Sequence, residues 1–359
     1  MDEKEKIREG IDAADAQILN ALAERVRLAR QIGEYKKKMG LPILDRAREQ
    51  AVIQRVGENA ARRGLPQDAT EDVYREIIRL CRSVQIEETK VAFLGPQGTF
   101  CEQAARQYSR DMNASLEERP SIADVFRSVK VGEADKGIVP VENSNEGSVM
   151  ETLDLLNESD LKISGEIILR ITHNLIVRPD TGLSEIAEIV SHPQALAQCR
   201  RYLDENFPRV TRVEAKSTAA AVKLASESKR TAAIGTGLSA QLYGMKILSQ
   251  GIEDNRENHT RFFVLSNEDQ ESTGKDRTSI IFSVKHVPGS LSEALGTLSS
   301  RMISLSKIES RPARGKAWEY VFFCDFEGHR KDAKCREALE ELTTKTIGLK
   351  VLGSYPRAQ

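Results

Sequence analysis

Residues 138–149 read I-V-P-V-E-N-S-N-E-G-S-V, and the change of character inside this stretch sets the fold class. From Gly137 to Val141 the pattern is that of a short buried strand. Glu142, Asn143, Ser144, Asn145 and Gly147 then break it, before helical spacing resumes at Val149, Leu153 and Leu156. A strand that ends in amides, a hydroxyl and a glycine, then feeds a helix, is a common way to build a ligand site in an α/β domain. Taken alone, the same loop is a polar connection with a helix N-cap.

Its neighbours extend the pattern. Lys90–Leu94, K-V-A-F-L, reads as a buried strand that passes through Gly95-Pro96-Gln97-Gly98-Thr99-Phe100 into a helix. Glycines at such a turn let backbone N–H groups approach an anion. The spacing is not G-x-G-x-x-G, so no dinucleotide is inferred. Further helices are expected at about Phe100–Arg110, Ile122–Val131, Met150–Asn157, Pro193–Asn206, Thr218–Ser226 and Thr236–Tyr243. Strands are expected at Lys136–Val141, Ile163–Ile171, Asn174–Val177, Ile189–Ser191, Arg212–Ala215, Thr231–Ile234 and Arg261–Leu265. This alternation predicts α/β architecture. With about Thr172 to Gly251 as one lobe and the flanking portions as the other, the segment forms a two-lobed clamshell with its site in the cleft. Asn258-His259-Thr260-Arg261-Phe262 opens the last strand. Thr260 can donate and accept a hydrogen bond, and Arg261 can pair with a carboxylate. His259 reads as a surface or supporting residue rather than a base.

The N-terminal segment is different. From Asp2 to about Lys38 there is no proline, and Ile11, Ile18 and Ile32 share one heptad position with Leu22 and Ala29 beside them. Arg25 occupies that same position, and Lys36 follows it by three turns at roughly 20° offset. Two cations inside an apolar stripe are costly to bury without a partner. Either they snorkel at the edge of a coiled-coil or bundle helix, or the stripe encloses an anionic ligand. Arg8 lies roughly 100° around the helix from Arg25 and serves such a site better from a second copy of the helix. Gly40 and Pro42 end the helix. A second is expected from about Asp45 to Arg63, with Asp45, Arg48 and Glu49 on one face of its first turn, and a third from Thr70 to about Gln85. Three unequal helices bury little alone, so pairing with another subunit is expected.

After a polar junction at Ile86–Lys90, the clamshell segment, and a polar linker at Asn267–Lys275, the C-terminal segment reads as β-α-β-β-α-β, the ferredoxin-like order. Strands are expected at Thr278–Lys285, Leu305–Ser310, Glu319–Phe326 and Leu349–Ser354, with helices from Ser290 to about Arg301 and at Lys331–Thr344. That order alone says nothing of function.

Composition narrows the classes. The chain has 359 residues, 40% hydrophobic and 30% charged, with a formal net charge of −1. Two or three domains are expected, and no global field recruits nucleic acid. No apolar signal core opens the chain and no run is long enough to span a bilayer, so a cytoplasmic protein without membrane contact is expected. Five cysteines without a C-x-x-C pair argue against a disulfide framework or a zinc site. The five histidines are scattered, and neither a metal nor another cofactor is required.

The three segments each resemble a known family. Residues 1–88 are similar to the all-helical chorismate mutase domain, three helices in an intertwined dimer. The resemblance implies a site lined by Arg8 of the partner subunit with Arg25, Lys36, Arg48, Glu49 and Gln85, Asp45 lying beside them. Lys36 and Gln85 are then the candidate donors to the ether oxygen of chorismate. Residues 89–268 resemble prephenate dehydratase through G-P-Q-G-T-F at Gly95–Phe100, V-P-V-E-N-S at Val139–Ser144, S-H-P-Q at Ser191–Gln194, S-T-A-A-A at Ser217–Ala221 and N-H-T-R-F at Asn258–Phe262. This implies Thr260 as the catalytic residue, with Thr99, Asn143, Ser144 and Arg261 as substrate contacts. Residues 276–359 resemble the ACT regulatory domain. The resemblance implies an L-phenylalanine effector site at a subunit interface, made by Gly289, Ser290, Leu291 and by Glu309, Ser310, Arg311. Three departures stand out: Cys81 and Cys101 where the family tends to have a small hydroxyl residue, and Ser290 where alanine is commoner. Together the segments imply a bifunctional enzyme of phenylalanine synthesis. It would rearrange chorismate to prephenate, convert prephenate to phenylpyruvate, and act as a homodimer or tetramer. The rival from another class is a non-catalytic two-lobed ligand-binding sensor, which has no need of Arg25 and Lys36 in an apolar stripe.

Overall fold

The computed structural model describes every residue except Met1, Ile43, Leu44, Ile86, Glu87, 313–319 and Gln359. The expected junction at Ile86–Lys90 therefore lies partly outside the described residues, as does Glu319, the expected first residue of a strand. The chain divides into two compact units, residues 1–89 with 109–115, and residues 90–108 with 116–359.

The first unit is built from helices α1 (Glu3–Lys38), α2 (Arg46–Arg62) and α3 (Gln67–Ser83). The Asp45 side chain caps α2 by accepting from the Arg48 N–H at 3.0 Å, as its place before a helical pattern suggests. The 36 residues of α1 reach roughly 54 Å at 1.5 Å per residue. Only Ala29 and Gly33 of it are buried within the chain. Ile7, Ile11, Ile18 and Leu19 are each more than half exposed. Gly33 lets the turn that follows α3 come close, because a Cβ there would lie 2.9 Å from Cβ of Gln85.

The second unit begins with β1 (Thr89–Leu94), α4 (Phe100–Tyr108), β2 (Ala114–Arg119), α5 (Ile122–Lys130), β3 (Lys136–Asn143), β4 (Gly147–Ser148), α6 (Met150–Glu158) and β5 (Lys162–Arg170). It continues with β6 (Asn174–Val177), β7 (Glu188–Ser191), α7 (Pro193–Gln198), α8 (Arg200–Asn206), β8 (Thr211–Glu214), α9 (Thr218–Ser226), β9 (Thr231–Gly235), α10 (Gly237–Leu242) and β10 (Lys246–Gln250), then returns through β11 (His259–Ser266). One sheet has the order β2-β1-β3-β11-β5 with β4 paired to β3, and a second has the order β10-β6-β9-β7-β8. The chain crosses between the sheets only after β5 and before β11, so the two-lobed organisation is present with the expected division.

The last part is β12 (Asp276–Ser283), α11 (Ser290–Ser299), β13 (Leu305–Pro312), β14 (Tyr320–Glu327), α12 (Ala333–Lys345) and β15 (Gly348–Pro356). Its antiparallel sheet has the order β13-β14-β12-β15, the ferredoxin-like arrangement. This sheet does not stand alone. Ile281, Phe323, Leu352 and Tyr355 share one apolar cluster with Ile163 and Phe263 of the first lobe.

The expected elements differ from the observed ones in three ways. The helix expected at Pro193–Asn206 is two helices joined at Cys199, whose backbone (φ −110°, ψ 15°) leaves the helical region. The edge strands β2 and β10 are absent from the sequence reading, as is the two-residue β4. Both edge strands are half exposed, so neither carries the apolar run of a buried strand.

Candidate active sites

In the first unit, the three helices wall a pocket of about 870 Å³. Arg25 and Lys36 of α1, Arg48 and Glu49 of α2 and Gln85 just past α3 all line it, with Asp45 beside them. Arg8, far up α1, is exposed and does not line it within one chain. Arg25 reaches the Ile77 carbonyl at 3.4 Å, and Gln85 Nε2 donates to the Cys81 carbonyl at 3.0 Å. Sequence reasoning missed Arg82. It also lines the pocket and grips Glu49 with two donors, Nε to Oε1 at 3.1 Å and Nη2 to Oε2 at 2.8 Å. Nothing in its spacing separates it from the other arginines of α3. A pocket rich in guanidinium groups and an ammonium, with apolar Leu28, Ile32, Val52 and Ile78 in its walls, fits a small anion with an apolar body.

In the second unit, the expected loop and the last strand of the first lobe meet. Asn143 and Thr260 are direct partners in the β3–β11 register. Asn143 Nδ2 lies 2.8 Å from Thr260 Oγ1 and 2.8 Å from Asn258 Oδ1. Its Oδ1 accepts from the N–H groups of Asn145 and Glu146 at 3.0 and 3.2 Å, which fixes the orientation of the amide. Thr260 therefore receives a hydrogen bond, while its own proton goes to no described protein group.

The second lobe joins this network through Gln198 at the end of α7. Gln198 Oε1 accepts from Asn258 Nδ2 at 3.1 Å and meets His173 Nε2 at 2.9 Å, while Nε2 reaches Glu146 at 3.3 Å. Gln198 and His173 were both missed, since a glutamine on a helix and a histidine beside a strand carry no motif. His173 is buried against Phe100, its rings 5.5 Å apart edge to face, and burial pulls its pKa below the usual histidine value. The motifs S-H-P-Q and S-T-A-A-A open α7 and α9: His192 accepts from the Gln194 N–H and Ser217 from that of Ala220. His259 is half-buried with Nδ1 on the Glu257 carbonyl, in keeping with a supporting position.

Three expected substrate contacts have other engagements. Thr99 Oγ1 donates to the Leu94 carbonyl at 3.3 Å and accepts from the Glu102 N–H at 3.4 Å, holding the turn into α4. Ser144 Oγ donates to the Glu257 carbonyl at 3.1 Å and accepts from the His259 N–H at 3.0 Å, tying its loop to the start of β11. Arg261 is the third, and its engagements are the most extensive. It follows Thr260 and so points to the opposite face of the sheet. Its Nε meets Glu166 at 2.7 Å, Nη1 meets Asp325 at 2.5 Å and Nη2 meets the Tyr355 hydroxyl at 2.9 Å. Burial works against its charge, but Tyr355, Asp325 and Glu166 outweigh it and hold the pKa above the usual arginine value.

In the last domain, Gly289 precedes α11 with left-handed backbone (φ 89°), and Ser290 and Leu291 begin the helix half-buried. Glu309 and Arg311 do not face open space: Glu309 accepts from Ser148 Oγ at 3.1 Å, and Arg311 Nη2 pairs with Asp154 at 2.9 Å. Ser310 lies between them on β13, with its side chain on the other face of the strand. All five cysteines are free, and burial pushes the Cys101 thiol up to about 12, so this departure does not make a reactive thiolate. Among the described residues there is no cluster of metal-ligand type, and no helix is long and apolar enough to cross a membrane.

A helical unit with a cation-lined pocket, a two-lobed α/β domain with an amide and hydroxyl network, and a ferredoxin-like domain define a multidomain protein of the enzyme class, with two candidate sites for small anions. Comparison with known proteins makes this specific. The chain matches the models for chorismate mutase type II over residues 7–86, prephenate dehydratase over 91–270 and the ACT domain over 278–344. It is 44% identical to the bifunctional chorismate mutase/prephenate dehydratase of Aquifex aeolicus, covering 100% of this chain and 99% of that one. It is 38% identical to the protein of the same description from Pseudomonas aeruginosa, over 99% and 98% of the two chains. Among solved structures it resembles the prephenate dehydratase of Arthrobacter aurescens in complex with L-Phe, with a TM-score of 0.69, 37% identity, and coverage of 75% of this chain and 90% of that one. The chain belongs to the bifunctional chorismate mutase/prephenate dehydratase family. Full-length likeness to such enzymes disfavours the sensor reading.

Proposed function

We propose that the chain carries out both reactions for which its family is named, with the following division of labour. In the helical unit, chorismate, a dianion, rearranges to prephenate through a pericyclic transition state that needs no nucleophile. It needs the reactive conformer held and the charge on the ether oxygen met. Arg25 and Arg48 hold the carboxylates, while Lys36 and Gln85 donate to the ether oxygen. Glu49 is a further substrate contact, and Arg82 fixes its carboxylate in the pocket wall and offsets its charge. Arg8 enters from a second copy of α1, and the exposed Ile7, Ile11, Ile18 and Leu19 support pairing through that helix.

In the two-lobed domain, prephenate loses its ring hydroxyl and carbon dioxide to give phenylpyruvate, driven by aromatisation. The hydroxyl leaves as water once protonated, and the electrons of the breaking C–CO₂ bond complete the ring. The observation that carries the assignment is the Asn143–Thr260 hydrogen bond, because it leaves the Thr260 proton to be given to the leaving group, directly or through one water. Arg261 organises the sheet behind the site and does not touch substrate. L-Phenylalanine acts as effector at the ACT domain, with Gly289–Leu291 and the 309–311 strand as its contacts. Equal dehydratase rates with and without saturating phenylalanine would exclude that regulation.

A product assay tests the whole reading. Purified protein is given chorismate in one reaction and prephenate in another. Phenylpyruvate from both supports both sites. Phenylpyruvate from prephenate alone removes the mutase assignment, and turnover of neither by folded protein removes both.

A further inference from the structure

The sheet that presents Asn143 and Thr260 to the cleft carries a second cross-strand pair on its other face. Glu142 and Arg261, each one residue along the chain, are also direct partners in the β3–β11 register. The ferredoxin-like domain meets this pair with charge of its own. Lys307 of β13 places Nζ 2.9 Å from Glu142 Oε1 and 2.8 Å from Ser148 Oγ. Asp325 of β14, the partner of Lys307 in the β13–β14 register, meets Arg261 Nη1 at 2.5 Å. Glu166 of β5 takes Arg261 Nε at 2.7 Å and Arg277 Nη1 of β12 at 2.6 Å.

Three cations, Lys307, Arg261 and Arg277, thus face three carboxylates, Glu142, Glu166 and Asp325, with members drawn from both domains. Most of this network is dry: Arg261, Lys307 and Asp325 side chains are 11%, 11% and 7% exposed and Glu166 is 0%, while Glu142 at 37% is its most open member. Removing one partner from such a network leaves a largely buried charge, such as that of Lys307 or Arg261, undercompensated, which is corrected by moving the strand that carries it. Those strands are the ones that hold Asn143 and Thr260. Lys307 itself shares no described hydrogen bond with either residue.

We infer that the ferredoxin-like domain positions the Asn143–Thr260 pair, with Lys307 as a positioning residue that acts through Glu142. The inference rests on the reading of Asn143 and Thr260 as the dehydratase site. It gives the β13 strand a defined effect on turnover: Lys307, Glu309 and Arg311 lie on one face of that strand, and all three grip the dehydratase part.

The test is prephenate kinetics on the full chain for Lys307→Met, Lys307→Arg, Glu142→Gln and the double variant Glu142→Gln/Lys307→Met, with near-ultraviolet circular dichroism to verify folding. Lys307→Met and Glu142→Gln are each expected to lower kcat about tenfold with KM held within about twofold, the signature of misplaced catalytic groups. Lys307→Arg should recover kcat to within about twofold, and the double variant should lose about as much as one single, because the two groups act as a unit. A wild-type kcat for Lys307→Met, a raised KM with kcat intact, or losses that multiply in the double variant would each overturn the inference. If Lys307→Met does not fold, Glu142→Gln decides, since full kcat in that variant is equally fatal. Thr260→Val is measured alongside. If it retains turnover, the site assignment itself falls, and the inference falls with it whatever Lys307→Met does. If it loses turnover, the Lys307 result stands on its own.

Discussion

Thr260 and Asn143 stand opposite each other on antiparallel strands, and the Asn143 amide donates to the Thr260 hydroxyl at 2.8 Å. The polarity of this bond is set from behind, because two backbone N–H groups occupy Asn143 Oδ1. Thr260 is thereby made an acceptor towards the protein and a donor towards the cleft. Thr260→Val keeps the shape and removes the proton. It should lower kcat for prephenate roughly 100-fold, within the range for a lost general acid. Thr260→Ser should retain most activity, and mutase turnover by the same chain should not change. Phenylpyruvate formation measures the first two and chorismate consumption the third. Normal prephenate turnover by the valine variant would remove Thr260 from the mechanism.

The mutase pocket makes a parallel prediction. Lys36→Met removes the cation proposed to meet the ether oxygen, and should cost roughly 100-fold or more in chorismate kcat. Dehydratase activity on added prephenate should stay at the wild-type level. If chorismate turnover survives, Lys36 is a wall of the pocket and nothing more.

Arg82 gives a subtler test. Its two bonds to Glu49 hold a carboxylate inside a pocket meant for a dianion. Arg82→Ala frees that carboxylate to repel substrate. The KM for chorismate should rise about tenfold, equivalent to about 1.4 kcal/mol. The rise should be larger at low salt, where charge repulsion is less screened. A salt-independent loss confined to kcat would mean that Arg82 acts on the reaction itself.

How much of this was legible in the sequence depends on what each residue depends on. The β3 strand and its polar loop, the helices beginning near Asp45 and Thr218, and the ferredoxin-like order were readable because they are local: apolar period and turn residues within a few positions. Edge strands β2 and β10 were not, because a strand covered on one side need not be apolar. Arg261 shows the limit more sharply. Its residue type invited a carboxylate partner, and it has three, Glu142, Glu166 and Asp325, all from the protein. Only the alternation of strand faces and the packing of a distant domain decide that. Gln198 and Arg82 were hidden for the same reason, since each acquires its role from side chains far away in sequence.

His173 links the fold to pH. Burial holds its pKa below the usual histidine value, with Gln198 at Nε2 and the charge of Glu253 only partly opposing this. The unfolded chain therefore binds a proton at a higher pH than the folded one does. The stability this residue contributes is fully present above about pH 6.5, its unfolded value, and falls as pH drops from there towards the depressed folded value. Thermal unfolding of the full chain should show a midpoint that declines below about pH 6.5. His173→Gln should flatten that decline, and an identical slope in both proteins would show that His173 does not report the transition.

Gly353 is a point of close backbone approach between the ferredoxin-like domain and the first lobe. A Cβ at this position would sit 2.2 Å from the Ile163 carbonyl oxygen and 2.9 Å from its nitrogen, both backbone atoms of β5 that cannot step aside like a side chain. Leu352 and Tyr355, on either side of it along β15, are buried in the cluster that holds Ile163 and Phe263. Gly353→Ala must therefore lift β15 from β5 or bend β5, and overpacking of this kind typically costs about 1–3 kcal/mol. The strain falls on the strand beside β11, so dehydratase activity should decline as well, while the helical unit keeps its mutase activity. Urea unfolding followed through both activities checks this. Loss of dehydratase at lower urea than in the wild type, with the mutase midpoint unmoved, is the expected result. Coincident curves in the two proteins would mean that the strands accommodate a methyl group and that the close contact does not hold the two domains in register.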